Sequence, residues 1–121
     1  MPDTGGVDPR ESSADHALPR ALAEQSLSPR DIILPYDAAL AAIDQLTATG
    51  RRIENWEGWV KLRDGARAKS LSFGGSFALP SEPPRAADTA KAGITRAHER
   101  WQRDPEYPGA ELYFGLTFAQ R

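Results

Sequence analysis

The sequence predicts a small α+β domain: a mainly antiparallel sheet, made of a central hairpin and a C-terminal strand, with two helices packed on one face. Residues 52–63 and 111–118 alternate apolar and polar side chains with the period of a strand. Residues 35–49 and 84–103 repeat apolar side chains at helical spacing. The chain of 121 residues is long enough for one domain with one core.

Composition divides the chain into an arm and a domain. Residues 1–28 are rich in Pro, Gly, Asp and Ser, which predicts a flexible N-terminal arm, with a short helix within residues 18–27 as the alternative. Residues 29–121 form the predicted domain. The formal net charge of −2 gives no argument for binding nucleic acid or a membrane. The chain has no cysteine, which excludes disulfides, thiol catalysis and cysteine metal sites.

The N-terminal region shows no apolar core of a signal peptide. No run in the chain approaches the roughly 20 apolar residues that a membrane helix needs. We therefore expect a cytoplasmic protein without a membrane partner.

The first half of the domain begins with a short extended segment. The apolar triplet 32–34 is stopped by Pro35 and predicts a short strand or an extended lead-in. A helix follows over 35–49, because proline starts it, Asp37 lies in its first turn and Gly50 comes just after it. Its predicted buried stripe consists of Tyr36, Leu40, Ile43, Leu46 and Thr47.

The next strand, 52–63, contains two of the three tryptophans. Alternation divides it into an apolar and a polar face. The predicted core face consists of Trp56, Gly58, Val60 and Leu62. The predicted polar face consists of Ile53, Asn55, Glu57, Trp59, Lys61 and Arg63.

A three-residue loop, Arg63-Asp64-Gly65, is predicted to close the hairpin as a type I turn followed by glycine in the left-handed region. A two-residue loop would place charged side chains opposite the core face, and burying an unpaired charge costs several kcal/mol. The favoured register pairs Leu62 with Ala66, Val60 with Ala68 and Gly58 with Ser70.

Three further elements are predicted after the hairpin. A strand over 67–73 is followed by a turn or bulge at Gly74-Gly75 and by a short strand at 77–79. The helix over 84–103 buries one stripe: Ala87, Ala90, Ile94, Ala97 and Trp101. The last strand, 111–118, turns one apolar face to the core: Leu112, Phe114, Leu116 and Phe118.

The sequence offers little for catalysis. It contains no metalloprotease or calcium-loop motif, and Glu54 and Glu57 point to opposite faces of one strand. His16 lies in the predicted arm, and His98 lies at the edge of a helix stripe. We therefore predict no catalytic, cofactor or metal site. A small enzyme that uses His98 is a minor alternative, which requires a pocket beside that residue.

The polar hairpin face is the candidate site. A tryptophan among charged side chains is typical of a protein-binding hot spot. The predicted partner-binding residues are Glu57, Trp59, Lys61, Arg67 and Lys69. One alternative is that the arm or a loop covers Trp59. Another is a nucleic-acid- or anion-binding module, since basic and aromatic side chains lie together; the overall balance of 15 Lys+Arg against 17 Asp+Glu disfavours it.

Several stretches together resemble a known family. They are the helix 38–46 with Gly50, the run Trp56-Glu57-Gly58-Trp59-Val60-Lys61 closed by Asp64-Gly65, the segment 70–76, the helix through Trp101, and the run 108–114. With these residues the chain resembles the Immunity protein 40 family of bacterial polymorphic-toxin systems, over about residues 32–118.

The resemblance implies a single-domain α+β immunity protein. Such a protein is made in the toxin-producing cell and its kin, binds one cognate toxin domain and blocks the active site or substrate entry of that toxin. It catalyses no reaction and needs no cofactor.

Overall fold

The computed structural model of this chain describes residues 18–28, 31–75, 79 and 82–119. These residues form three helices and four strands. In chain order they are α1 (Arg20–Ala23), β1 (Ile32–Leu34), α2 (Tyr36–Ala48), β2 (Arg52–Lys61), β3 (Arg67–Gly75), α3 (Pro83–Arg103) and β4 (Glu111–Ala119).

The four strands form one antiparallel sheet in the order β1-β4-β2-β3. Helices α2 and α3 pack on the same face of this sheet and share one apolar core with it. The predicted α+β class is therefore confirmed, including the hairpin, the C-terminal strand beside it and the two helices on one face. Strand β1 adds a fourth member at the edge.

Helix α2 follows Pro35 and ends before Gly50, whose φ is 86°. Ile43 and Leu46 are buried as predicted. The other three members of the predicted stripe are only half-buried: Tyr36, Leu40 and Thr47. Alanines take much of the buried face instead: Ala38, Ala39 and Ala42 in α2, and Ala86, Ala87, Ala90 and Ala97 in α3. Small side chains let the two helices and the sheet approach closely, so the buried face of α2 is rotated from the predicted stripe toward its alanines.

Strand β2 follows the predicted alternation from Asn55 to Lys61, with Trp56, Gly58 and Val60 buried. The prediction is wrong at Ile53, which is 0% exposed and belongs to the core. The ladder between β2 and β4 shifts by one residue between Ile53 and Asn55. This bulge reverses the alternation, because one extra residue turns the following side chains to the opposite face.

The predicted three-residue loop is confirmed. Val60 pairs with Ala68, and the Leu62 N–H donates to the Ala66 carbonyl at 2.7 Å. Gly65 has a φ of +89°, and Asp64 Oδ1 accepts the Ala66 N–H at 2.8 Å. Backbone hydrogen bonds and the aspartate side chain therefore stabilise the turn together.

The predicted pairing of Gly58 with Ser70 is wrong. The β2–β3 ladder passes from Trp59–Lys69 directly to Glu57–Gly74, so residues 70–73 bulge opposite Gly58. Strand β3 extends beyond the predicted end at residue 73, because Gly74 and Gly75 still pair with β2. Residues 76–78 of the predicted strand 77–79 lie outside the described residues, and Leu79 is not in a strand.

Part of the predicted N-terminal arm packs on the domain. Leu18 is 7% exposed within the core, and Leu22 packs against the same cluster. The Leu27 N–H donates to the Ile33 carbonyl at 2.9 Å, and the Ile33 N–H donates to Ser26 Oγ at 3.0 Å. In the described chain, packing therefore begins at Leu18, ahead of the predicted boundary at residue 28; residues 1–17 lie outside the described residues.

Among the described helices, none combines the length and the apolar character needed to span a membrane.

The contact between α3 and β2 generates a first prediction. A Cβ atom on Gly93 would lie 2.9 Å from Cζ2 of the buried Trp56 indole. We expect Gly93→Ala to lower the free energy of unfolding by about 1–2 kcal/mol, because overpacking outweighs the gain in helix propensity of about 0.5–1 kcal/mol. Urea unfolding followed by circular dichroism measures the change.

A double-mutant cycle provides the control. In a Trp56→Phe background the ring atoms nearest to Gly93 are removed, so Gly93→Ala should be neutral or stabilising there. A stabilising effect of Gly93→Ala in the native background would contradict the close contact.

Candidate partner-binding site

The outer face is the side of the sheet that points away from α2 and α3. Cross-strand pairing assembles it in rows: Trp59 pairs with Tyr113 on one side and Lys69 on the other, and Lys61 pairs with Glu111 and Arg67. Glu57 lies in the next row, opposite Gly115. Because residues paired across strands share a face, the structure brings together all of the predicted site residues. These are Glu57, Trp59, Lys61, Arg67 and Lys69.

Trp59 is half-buried and leans across β4. A Cβ atom on Gly115 would lie 2.9 Å from the indole Nε1 and 3.1 Å from Cδ1, so the missing side chain leaves the space that the ring occupies. The indole N–H donates to Glu57 Oε1 at 3.1 Å. The ring is therefore held in one orientation by a hydrogen bond and by the backbone beneath it.

The charges of the outer face are paired within the chain. Lys69 Nζ lies 3.0 Å from Glu57 Oε2, and the two side chains are 63% and 35% exposed. Lys61 Nζ lies 6.0 Å from the centre of the Tyr113 ring, within reach of a cation–π interaction. The Arg67 guanidinium donates to the Leu27 carbonyl. Each basic side chain predicted for the site thus has a partner in its own chain.

The outer face also buries apolar side chains that the sequence prediction did not assign to it. Ile33 and Tyr113 are 3% and 8% exposed, although neither belongs to the core cluster beneath the helices. The signal was present in β1, whose residues 32–34 are all apolar; a strand that is apolar at consecutive positions indicates burial on both faces. Together with Trp59, these residues form an apolar patch, surrounded by the charged side chains.

His98 lies elsewhere, on the helical side of the molecule. Its ring stacks on Tyr36 with the ring centroids 3.9 Å apart and the planes 3° apart, and the Tyr36 hydroxyl hydrogen-bonds to Thr95 Oγ1 at 3.0 Å. A cleft of about 340 Å³ opens beside these rings and is also lined by Trp101. The stacking gives His98 a packing role at the first residue of α2. His16 lies outside the described residues.

Within the described part of the chain, no group of three or more His, Cys, Asp or Glu residues is placed to hold a metal ion.

Gly115 provides a test of how Trp59 is held. We expect Gly115→Ala to displace the indole, because the added methyl group would lie only 2.9 Å from its Nε1 and 3.1 Å from its Cδ1. In a ¹⁵N–¹H spectrum the Trp59 indole signal should shift, while the indole signals of Trp56 and Trp101 serve as internal controls. The free energy of unfolding should fall by about 1–2 kcal/mol. An unchanged Trp59 signal would show that the ring does not lie over Gly115.

Comparison of this chain with protein families, with curated proteins and with solved structures finds no match.

Proposed function

We propose that this chain is a non-enzymatic immunity protein. It binds one cognate toxin domain through the outer face of its sheet and blocks the active site or substrate entry of that toxin. It acts in the cytoplasm of the toxin-producing cell and requires no cofactor. The resemblance of residues 32–118 to the Immunity protein 40 family supports this proposal, and the resembling run Trp56-Glu57-Gly58-Trp59 contains two of the candidate site residues.

The fixed orientation of Trp59 is the observation that carries the proposal. Binding costs free energy when rotatable side chains must be ordered at an interface. The hydrogen bond to Glu57 and the close fit over Gly115 already restrict the indole in the free protein. A half-buried tryptophan inside a charged rim has the composition of an interface hot spot. The outer face is therefore suited to a preformed protein–protein contact.

The charges of the outer face favour a protein partner. Lys61, Arg67 and Lys69 lie on this face together with Glu57 and Glu111, so both signs are interspersed. A mixed pattern of charges selects a complementary protein surface and repels wrong partners.

The second candidate is a nucleic-acid- or anion-binding module. The observation in its favour is the grouping of three basic side chains around Trp59 on one face. Single-strand binders use such a combination of cations and stacking aromatic rings. Here the ion pair of Lys69 with Glu57 opposes it, because a phosphate would have to compete with the carboxylate.

Removal of the indole tests the proposed interface. As the partner in this test we take the product of the neighbouring gene, which the proposal expects to contain the toxin domain. We expect Trp59→Ala to weaken binding by about 2 kcal/mol or more, which is a Kd raised roughly 30-fold. Isothermal titration calorimetry with the purified toxin domain, together with an assay of toxin inhibition, measures the loss.

Tyr107→Ala provides the matched control. Tyr107 is 40% exposed in the loop between α3 and β4, and its removal should leave the toxin affinity unchanged. Circular dichroism establishes that both variants fold. Equal affinity of the Trp59→Ala variant and the native chain would remove the outer face from the interface.

A salt titration distinguishes the two candidate functions. If the chain binds a single-stranded oligonucleotide through phosphate contacts, the logarithm of the binding constant falls linearly and steeply with the logarithm of the salt concentration. We expect no measurable oligonucleotide binding at physiological salt. Oligonucleotide binding with a steep slope, which Trp59→Ala abolishes, would favour the nucleic-acid module over the immunity protein.

A further inference from the structure

A small slot opens beside Trp59 on the outer face. Its volume is about 120 Å³, and its lining includes Asp31, Ile33, Glu57, Trp59 and Gly115. The slot lies between the edge strand β1 and the centre of the sheet, because Ile33 pairs with Gly115 and Gly115 pairs with Glu57. Of the five predicted site residues, Glu57 and Trp59 line the slot.

The apolar part of the slot is preformed. Gly115 leaves its strand without a side chain, and Ile33 beside it is 3% exposed. The Trp59 indole supplies an aromatic surface whose orientation is set by the hydrogen bond to Glu57. A ligand group that enters here meets an indole that is already oriented, beside a strand position without a side chain at Gly115.

The two acidic residues of the slot differ in their surroundings. The Glu57 carboxylate binds Trp59 Nε1 through one oxygen and Lys69 through the other. Asp31 is anchored through its backbone, since its N–H donates to Ser28 Oγ at 3.3 Å and its carbonyl accepts from Ser26 Oγ at 2.7 Å. Among the described residues the Asp31 carboxylate has no hydrogen-bond or ion-pair partner. The slot is therefore lined by an aspartate whose carboxylate has no partner among the described residues, and by an aromatic ring.

We propose that the slot binds the guanidinium group of an arginine presented by the toxin. A guanidinium is planar, weakly hydrated and able to stack on an aromatic face while it donates to a carboxylate. These properties match a slot that is lined by an indole and two acidic residues. A lysine ammonium is a compact and strongly hydrated charge, so it fits the same slot less well.

This inference rests on the proposed function in one respect: the toxin supplies the arginine. It also predicts the sign of one effect. Lys69 shares Glu57 with the incoming guanidinium, so it competes for the same carboxylate. Removing the resident cation should strengthen arginine binding, whereas it should weaken the binding of a phosphate or a nucleic acid.

The slot is tested directly with N-acetyl-arginine amide as the probe. The ¹⁵N-labelled chain is titrated with this compound, and the Trp59 indole signal is followed by NMR. We expect a saturable shift, no shift with the neutral analogue N-acetyl-citrulline amide, and weaker binding of N-acetyl-lysine amide. The absence of a saturable shift, or an equal shift with the citrulline analogue, would overturn the proposal.

Variants locate the binding. We expect Asp31→Asn to weaken arginine binding by about threefold to fivefold, which is the effect of losing one partly exposed ion pair. Lys69→Gln should strengthen arginine binding by about twofold to threefold, because the competing ion pair of Lys69 with Glu57 is removed. Asp88→Asn is the matched control, because Asp88 is an exposed residue of α3, on the opposite side of the sheet from the slot. Equal affinity of Asp31→Asn and Asp88→Asn would contradict the slot.

The toxin and arginine readouts separate the two proposals. Failure of the toxin domain to bind, together with a positive arginine titration, would overturn the immunity function and leave the slot supported. Toxin binding together with a negative arginine titration would overturn the slot and leave the function supported. If both are positive, Asp31→Asn should also raise the Kd for the toxin, and Asp88→Asn should not.

Discussion

The contact between the Trp56 indole and the backbone of Gly93 sets the distance between α3 and the sheet. The ring fills the space that any side chain at position 93 would occupy. With the helix at this distance, Ala90, Ile94 and Ala97 reach the interior and are at most 5% exposed. Burial of apolar side chains such as these is the main favourable contribution to folding. Trp59 repeats the arrangement on the other face, where Gly115 makes room for the second indole.

The fold was predictable where one residue pattern determines local structure. The helix over 84–103 and the strands around Trp56 and Phe114 follow from their apolar periods, and the Asp64-Gly65 turn determines the pairing nearest to it. The bulges were not predictable, because an extra residue in a ladder depends on the partner strand and leaves no local pattern. Ile53 shows the effect. Its position in the alternation along β2 predicts the polar face, and the bulge places its side chain in the core.

The candidate site was predictable in its composition and less so in its shape. Alternation along β2 and the hairpin register determine that Trp59 and Lys69 share a face. The tilt of the indole onto Gly115 depends on β4 lying between β1 and β2, and neither β1 nor β4 is near Trp59 in the sequence. For the same reason Ile33 and Tyr113 were not recognised as an apolar patch. Each belongs to another strand, and only the sheet order brings them to one surface.

The position of β4 in the sheet has a consequence for the timing of folding. Residues 111–119 form the strand between β1 and β2, so β1 has no sheet to join until this strand has been synthesised. A nascent chain that ends before residue 111 contains the segments of the β2–β3 hairpin but lacks Gly115, whose backbone lies beneath the Trp59 indole. Pairings between distant segments form slowly, because the intervening chain must first be ordered. The surface proposed to meet the toxin therefore forms only after β4 has been synthesised and has joined the sheet.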